Sequence, residues 1–329
     1  MYIQFAFPGA GWYDERETEG GRDMKKRLTV LLMLAVLAVG AVFSARADGQ
    51  IRVLPIDLSG GAPFKARYMN YPEKYEDPTI SVEYHHKILA QRPDGHGYYY
   101  FYAIINIADA SQLRTAAADP VNFTRGRRMP AVDMARRVNA VFAINGDFCN
   151  NAGGDEDNKY CLRQGTVYRD TVTEKLDMLL IDEDGDFHIY KAGPELATLN
   201  KEEIDGKKII NAFQFGPALV VDGEPVEDEY ILDRAHAPNT SEPDQYAARV
   251  CIAQIDTLTY LVVNNWYGLD LASFRDLVMS IAPCKTVYVL DGGNSGQMIY
   301  LKSHVNENAN NIRTICDIIY FASAYFEDE

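Results

Sequence analysis

The sequence predicts an α+β fold, a single domain with a mixed, mainly antiparallel β-sheet flanked by a few helices. Many apolar segments are short, rich in β-branched and aromatic residues, and separated by glycine-containing turns, which is typical of strands joined as hairpins. The stretch from Leu269 to Ala282 has the spacing of an amphipathic helix. Neither an internal repeat nor a long linker divides the 329 residues, which favours one domain.

Residues 1–47 are expected to lie outside this domain. Lys25 to Arg27 form a basic region, Leu28 to Phe43 are apolar, and Ala45 to Ala47 have the pattern of a cleavage site. The alternative is a membrane anchor, but an apolar run of about 16 residues is short for a spanning helix. We therefore expect an upstream extension and a secretory signal peptide that begins at Met24 and is cleaved after Ala47. The product would be secreted or periplasmic, without membrane insertion.

The elements of the remaining chain follow in order. Residues 48–78, rich in Pro, Gly and Tyr, are interpreted as an N-terminal arm or edge segment, and the domain itself as residues 79–329. Alternation over residues 79–107 predicts a long hairpin whose turn is DGHG at 94–97. Proline at position 130 favours a short helix over residues 130–137, and the apolar residues that follow it favour a buried strand.

Two further hairpins are predicted around Asp184-Gly185 and Asp222-Gly223. The first resembles a calcium loop, but its glycine is out of register with that motif, so a hairpin turn is the better interpretation. Two strands then meet near Thr257, the amphipathic helix comes next, and strands are expected over TVYVL (286–290) and around residues 313–323.

Charge and cysteine content limit the function classes. The formal net charge is −15, and removing the six Lys/Arg and five Asp/Glu of residues 1–47 makes it −16. Nucleic acids and anionic membranes both repel such a chain. Cys149 and Cys161 flank a polar loop that a disulfide would close, and the alternative is that all five cysteines are buried thiols. Metal-ligand spacings and nucleotide-binding glycine loops are absent, so we expect no metal and no cofactor.

Several apolar strands end in polar clusters that could converge into one concave site. The clusters are Asn145-Gly146-Asp147, Phe215-Gly216-Pro217, Asn264-Asn265-Trp266 and Asp291 to Ser295. Glycines let a backbone approach a ligand closely, although ordinary turn chemistry is the alternative for each cluster. Arg249 is a single charge on an apolar strand, so it is expected either to bind a phosphate or to pair with Asp147 or Asp291.

The order of these clusters resembles that of the phosphodiester glycosidase family. The matching segments are AINGDFC (143–149), FGPALVVDGEPV (215–226), AARVCIAQI (247–255), LVVNNW (261–266), LDGGNSGQM (290–298) and Arg313, within Val132 to Phe321. Four of the matching segments depart from the family pattern. Ala248 replaces a proline, Asn264-Asn265 replace Asp-Gly, and Cys149 replaces the second phenylalanine of its motif. In the last segment, Asn294 replaces a glycine and Gly296-Gln297 replace Ser-Thr.

The resemblance implies a hydrolase that cleaves the glycosidic bond of a sugar-1-phosphodiester. Such a reaction needs charge stabilisation on the departing phosphate and a carboxylate near the sugar. The catalytic residues it implies are Asp147, Arg249 and Asp291, with Arg249 on the phosphate and either aspartate as base or nucleophile. The substrate-binding residues it implies are Asn145, Gly146, Asn265, Gly292, Gly293, Asn294, Ser295 and Arg313.

Two other functions compete with hydrolysis of this carbohydrate or sugar-phosphate substrate. The departures from the family pattern favour a secreted glycan-binding protein without catalytic activity on the same fold. The aromatic run from Tyr98 to Tyr102 could instead contact a protein partner, which would make the chain a surface module. We expect this run to be buried as core, in which case the surface-module hypothesis loses its support.

Overall fold

The structure is a computed structural model, and every residue it describes belongs to the unit Gly49–Glu329 of the chain. The described residues are 51, 53–56, 60–64, 68–70, 73–91, 97–119, 121, 127–147, 159–236, 247–306 and 313–325. Their strands, numbered in chain order, form three sheets in which every described pairing is antiparallel. The prediction of an α+β fold with mainly antiparallel strands is confirmed, but the expected single mixed sheet is wrong, because the described strands form three sheets and pair only antiparallel.

The largest sheet has nine strands. Their spatial order is β1 (Tyr68–Asn70), β2 (Lys74–Glu76), β3 (Ile80–Gln91), β4 (Gly97–Ile107), β16 (Thr259–Leu269), β15 (Ala247–Asp256), β17 (Thr286–Leu290), β13 (Ala218–Val221) and β14 (Glu224–Pro225). The predicted long hairpin is β3 and β4, although residues 94–96 of its turn lie outside the described residues. The hairpin at Asp222-Gly223 and the strand pair near Thr257 are also confirmed.

A six-stranded sheet lies beside it. Its order is β10 (Phe187–Tyr190), β9 (Met178–Asp182), β12 (Lys207–Gln214), β7 (Cys161–Arg163) and β8 (Thr166–Arg169), and β11 (Glu203–Ile204) also pairs with β12. The predicted hairpin at Asp184-Gly185 joins β9 to β10. Asp182 accepts the backbone N–H of Asp184 at 3.0 Å and of Asp186 at 2.9 Å, so its carboxylate shapes a turn.

The third sheet has five strands and carries the first helix. Its order is β19 (Ser303–His304), β18 (Met298–Tyr300), β6 (Ala140–Asn145), β20 (Asp317–Ala322) and β5 (Leu113–Ala117). Helix α1 (Ala131–Arg137), with Pro130 at its N-cap as predicted, buries Met134 against this sheet. Ring contacts join the nine-stranded sheet to this one, through Tyr260 and Phe321 at 5.4 Å, so the core lies between them.

The described residues contain two more α-helices, besides short 3₁₀ turns. Helix α2 is the short segment Asp228–Ile231, which the sequence did not predict, and α3 is the predicted amphipathic helix Leu271–Ile281. The buried side chains of α3 follow helical spacing, and Asp270 caps it by accepting the backbone N–H of Ser273 at 2.7 Å. Among the described residues, no helix combines the length and apolarity needed to cross a bilayer.

Three other expectations can be compared with the structure. Residues 68–70 and 74–76 of the predicted arm form edge strands of the nine-stranded sheet, as an edge segment would. In the aromatic run, only Phe101 is fully buried, while the tyrosines are half-buried, so the prediction of core is correct for one ring. Cys161 is a buried free thiol, which contradicts its predicted pairing with Cys149.

Candidate active site

A polar cleft lies where β6 and β17 end and β20 is about to begin. The residues that line it are Arg128, Asn145, Asp147, Asp291, Ser295, Arg313, Thr314 and Ile315. Two of the strand-end clusters that the sequence singled out therefore converge, together with the predicted Arg313. Both predicted catalytic aspartates lie in this cleft.

Asn145 ties the ends of these strands together. Its side-chain N–H donates to the carbonyl of Asp291 at 2.7 Å, and its side-chain oxygen accepts the backbone N–H of Gln297 at 3.1 Å. The residue is fully buried, and both ends of its amide are engaged with backbone groups. Because two segments far apart in the chain meet on one side chain, Asn145 fixes the frame of the cleft.

Asp147 is held by an arginine that the sequence analysis did not identify. The Nη2 atom of Arg163, on β7, lies 2.9 Å from Oδ1 of Asp147. The other carboxylate oxygen, Oδ2, is buried and has no hydrogen-bond partner within the described part of the chain. Leaving a buried acceptor without a donor costs free energy, so an unpaired oxygen on a residue of the cleft points to a functional role.

Asp317 is the second carboxylate on Arg163. Its Oδ2 lies 3.2 Å from Nε of Arg163, and burial, opposed by Arg163 and reinforced by the charge of Asp147, raises the pKa of Asp317 to about 7. A Cβ on Gly146 would lie 2.2 Å from Oδ1 of Asp317. Gly146, predicted to contact substrate, is thus needed for the approach of this carboxylate, which corrects the predicted reason for the glycine.

Asp291 lies among groups of both charges. Burial raises its pKa, a hydrogen bond with Ser295 and the charges of Arg313 and Lys159 oppose that rise, and the charge of Asp147 adds to it. Arg313 places Nη2 3.6 Å from Oδ2 of Asp291 and donates from Nε to Oγ of Ser295 at 2.6 Å. The predicted residues Ser295 and Arg313 therefore surround Asp291, and the half-exposed Arg313 side chain can reach a ligand.

The geometry of the turn after Asp291 requires glycine at positions 292 and 293. A Cβ on Gly292 would lie 2.4 Å from the carbonyl oxygen of Ala248, so only glycine lets the turn cross β15 at this distance. Gly293 is exposed and has a positive φ of 57°, which glycine adopts without strain. Asn294 is also exposed, and its carbonyl accepts the N–H of Arg313 at 3.4 Å. These residues lie at the surface next to Ser295 and outside the cleft lining.

Arg249 and Asn265 lie on the strand pair next to the turn at Gly292 and are not among the residues that line the cleft. Arg249 is buried, and its Nε donates to the carbonyl of Leu269 at 3.4 Å. Asn265 is fully buried, accepts the N–H of Arg249 at 2.8 Å and donates to the carbonyl of Ala247 at 3.0 Å, at an irregularity between β15 and β16. Asp147 and Asp291 pair with Arg163 and Arg313. The expected role of Arg249, on a phosphate or on one of these aspartates, stays a prediction.

Sequence reasoning missed Arg128, Arg163 and Asp317. A usable signal existed for two of them, since Arg163 and Asp317 are charged residues in otherwise apolar strands, the pattern that singled out Arg249. In the described ranges, no group of three or more His, Cys, Asp or Glu side chains could hold a metal ion. Two carboxylates beside arginines suit proton transfer next to a bound anion.

Comparisons with known proteins agree with the sequence motifs. The profile of the family described as phosphodiester glycosidase matches residues 138–322. No curated protein matches the chain. The catalytic domain of zebrafish N-acetylglucosamine-1-phosphodiester alpha-N-acetylglucosaminidase, in a form auto-inhibited by its pro-peptide, has a TM-score of 0.58 and 14% identity, over 84% of this chain and 99% of that chain. At this identity, the likeness shows a shared fold.

Two further solved structures are similar at lower scores. A hypothetical protein from Synechocystis has a TM-score of 0.46 and 15% identity, over 74% of this chain and 62% of its own. A putative exported protein from Burkholderia pseudomallei has a TM-score of 0.43 and 13% identity, over 71% of this chain and 76% of its own.

Proposed function

Because the chain belongs to the phosphodiester glycosidase family, we propose that it is a hydrolase that cleaves the glycosidic bond of a sugar-1-phosphodiester. The observation that carries this proposal is the pair of aspartates in the cleft. Asp147 has a buried oxygen without a partner among the described residues, and burial raises the pKa of Asp291. A carboxyl group with a raised pKa is suited to exchange a proton with a reacting water molecule.

The proposed reaction breaks one bond and forms one. The oxygen of a water molecule attacks the anomeric carbon, and the bond from that carbon to the phosphate oxygen breaks with its electron pair going to the phosphate. Asp291 accepts the proton of the attacking water. Asp147, which is ion-paired with Arg163, places Oδ2 where its negative charge can stabilise the positive charge that develops on the sugar.

Arginine side chains would bind the phosphate. Arg128 and Arg313 line the cleft, and a planar guanidinium binds phosphate oxygens through two parallel hydrogen bonds. This assignment places the phosphate beside Arg313, which the sequence analysis included among the binding residues, and away from Arg249. Arg313→Ala and Arg249→Ala distinguish these two assignments of the phosphate. Only the variant that loses the phosphate ligand should have a higher KM for the phosphodiester.

The proposal is tested by measuring release of free sugar and UDP from UDP-N-acetylglucosamine, followed by a panel of other sugar-1-phosphodiesters. Asp147→Asn and Asp291→Asn are each expected to lower kcat/KM by about 100-fold or more. Asp222→Asn, in an exposed hairpin turn, is the matched control and should leave the rate unchanged. Absence of turnover across the panel, or full activity in Asp291→Asn, would contradict the proposal.

One observation favours the second candidate, a glycan-binding protein without catalytic activity. Asn264 and Asn265 replace an Asp-Gly pair of the family pattern, and Asn264 donates to the carbonyl of Arg249 at 3.0 Å while it accepts from Asn306 at 3.1 Å. These amides serve the frame of the site. Calorimetric binding of a free sugar, combined with absence of product from every phosphodiester, would favour this candidate.

We also propose export, with cleavage after Ala47 of the leader predicted over residues 24–47. N-terminal sequencing of the exported protein should find Asp48 as the first residue. An intact leader in the exported protein would contradict this proposal.

A further inference from the structure

Arg163 is fixed from several directions. Besides its two aspartates, it donates from Nη1 to the carbonyls of Leu162, at 3.2 Å, and of Ala212. Its guanidinium also lies 3.9 Å from the centroid of the Phe213 ring. Only 1% of the side chain is exposed. A planar group held by hydrogen bonds on its edge and an aromatic ring on its face has one orientation available to it.

The two carboxylates on Arg163 differ in what else they contact. Asp317 is buried behind Gly146, on β20. Asp147 lines the cleft and leaves Oδ2 without a partner among the residues that the structure describes. A buried ion pair is weak evidence for stability, and a buried acceptor without a donor destabilises the fold further. Stability alone therefore does not account for this arrangement.

We infer that Arg163 and Asp317 are positioning residues for the proposed reaction. Arg163 holds the carboxylate of Asp147 in one orientation at the cleft through Oδ1, and Asp317 fixes Arg163 from the other side. The role in catalysis rests on the proposed function, whereas the coupling between the two carboxylates does not. Gly146 contributes to this arrangement of Arg163 and Asp317, because any side chain at position 146 would displace Asp317.

The charge balance of this cluster makes it sensitive to pH. The charged or titratable groups that face Asp317 are Arg163, Asp147, Arg169 and Cys161. When Asp317 carries a proton, Asp147 is the only carboxylate of the two that is ion-paired with Arg163. When Asp317 loses that proton, a second carboxylate competes for the same guanidinium, and Asp147 is held less firmly. The pKa of Asp317, raised to about 7, places this change near neutral pH.

The first test follows the pH profile of kcat/KM for a substrate that the full protein turns over. Wild type should show an inflection near pH 7 that Asp317→Asn lacks. Arg163→Lys keeps the charge and loses the fork that contacts both carboxylates, so kcat should fall about 10- to 100-fold with a smaller change in KM. The matched control is Asp182→Asn, a buried aspartate bound to His188 in the same sheet as Arg163, which should keep the inflection. An inflection that persists in Asp317→Asn overturns the inference.

A second test needs no substrate. Aspartate labelled with ¹³C at the carboxyl group reports by NMR the titration of Asp317 and the surroundings of Asp147, with assignments from the asparagine variants. The Asp147 resonance of wild type should shift as Asp317 titrates, and this shift should vanish in Asp317→Asn. Its presence in a protein that hydrolyses no phosphodiester would refute the proposed function while the coupling stands. An Asp147 resonance that does not respond to the titration of Asp317 would refute the inference whatever the activity.

Discussion

At the scale of single residues, the cleft is defined by how each aspartate is balanced against an arginine. Asp291 has 12% of its side chain exposed, and Arg313 lies 3.6 Å away with 43% exposed. Such a pair is screened by solvent, so Arg313 moderates the effect of burial without cancelling it. Asp147 has a shorter, buried ion pair with Arg163. These different environments support giving the proton-accepting role to Asp291.

A change at Arg313 should move the pH dependence of activity. The charge of Arg313 lowers the pKa of Asp291, so Arg313→Ala should raise that pKa further. If Asp291 acts as the base, kcat/KM falls as pH falls through its pKa, and the acidic limb of the profile should shift to higher pH. Arg136→Ala, which removes an exposed arginine from α1, should leave the limb in place. If the acidic limb of the Arg313→Ala profile were unchanged or shifted to lower pH, Asp291 could not be the base.

The sequence located residues of the cleft where a polar cluster ends an apolar strand. Asp147, Asp291 and Ser295 were found in this way, because strand ends gather at the rim of a sheet. Arg163 and Asp317 were not found, since their contact joins residues 154 positions apart and depends on how strands of two sheets meet. Local pattern carries no information about that contact.

At the scale of elements, the same distinction between local and distant determinants holds. The hairpin of β3 and β4 and the helix α3 follow from periodicity and capping within one segment, and both were predicted. The division into three sheets was not predicted. For example, β20 pairs with β5 and β6, and these partners lie far from it in the chain. Antiparallel pairing over such distances is set by tertiary packing.

Helix α3 offers a test of a local determinant. Asp270 accepts the backbone N–H of Ser273, so Asp270→Ala should lower the free energy of unfolding by about 1 kcal/mol. Asp270→Asn retains a capping oxygen and should lose much less. Urea unfolding midpoints of the two variants and wild type measure both effects. Equal loss in the two variants would show that the cap does not stabilise this helix.

At the scale of the whole molecule, the cleft exists because separate sheets meet around it. Asn145 and Asp317 belong to the five-stranded sheet, Arg163 to the six-stranded sheet, and Asp291 follows a strand of the nine-stranded sheet. Each sheet thus supplies part of the site or its support, and global stability is coupled to the charges at their junction. The buried carboxyl group of Asp317 is the clearest such charge.

This coupling predicts how stability varies with pH. The pKa of Asp317 is raised from the usual 3.8 to about 7, so between these values the folded protein binds more protons than the unfolded chain. Its contribution to the free energy of unfolding therefore falls as pH rises through this window. Asp317→Asn lacks this titration. Relative to wild type, the variant should gain stability from about pH 4 to about pH 8, as measured by urea unfolding.

Asp256→Asn is the matched control for this experiment. Hydrogen bonds from Lys285 and from the backbone N–H of Thr257 lower the pKa of Asp256 below its usual value. The stability that this carboxylate contributes is lost only as pH falls through that lowered pKa. The difference between Asp256→Asn and wild type should therefore be constant from about pH 5 to about pH 8. If the difference in free energy of unfolding between Asp317→Asn and wild type were also independent of pH, Asp317 would not titrate in this window. The pH sensitivity inferred for Arg163 and its two aspartates would then be wrong.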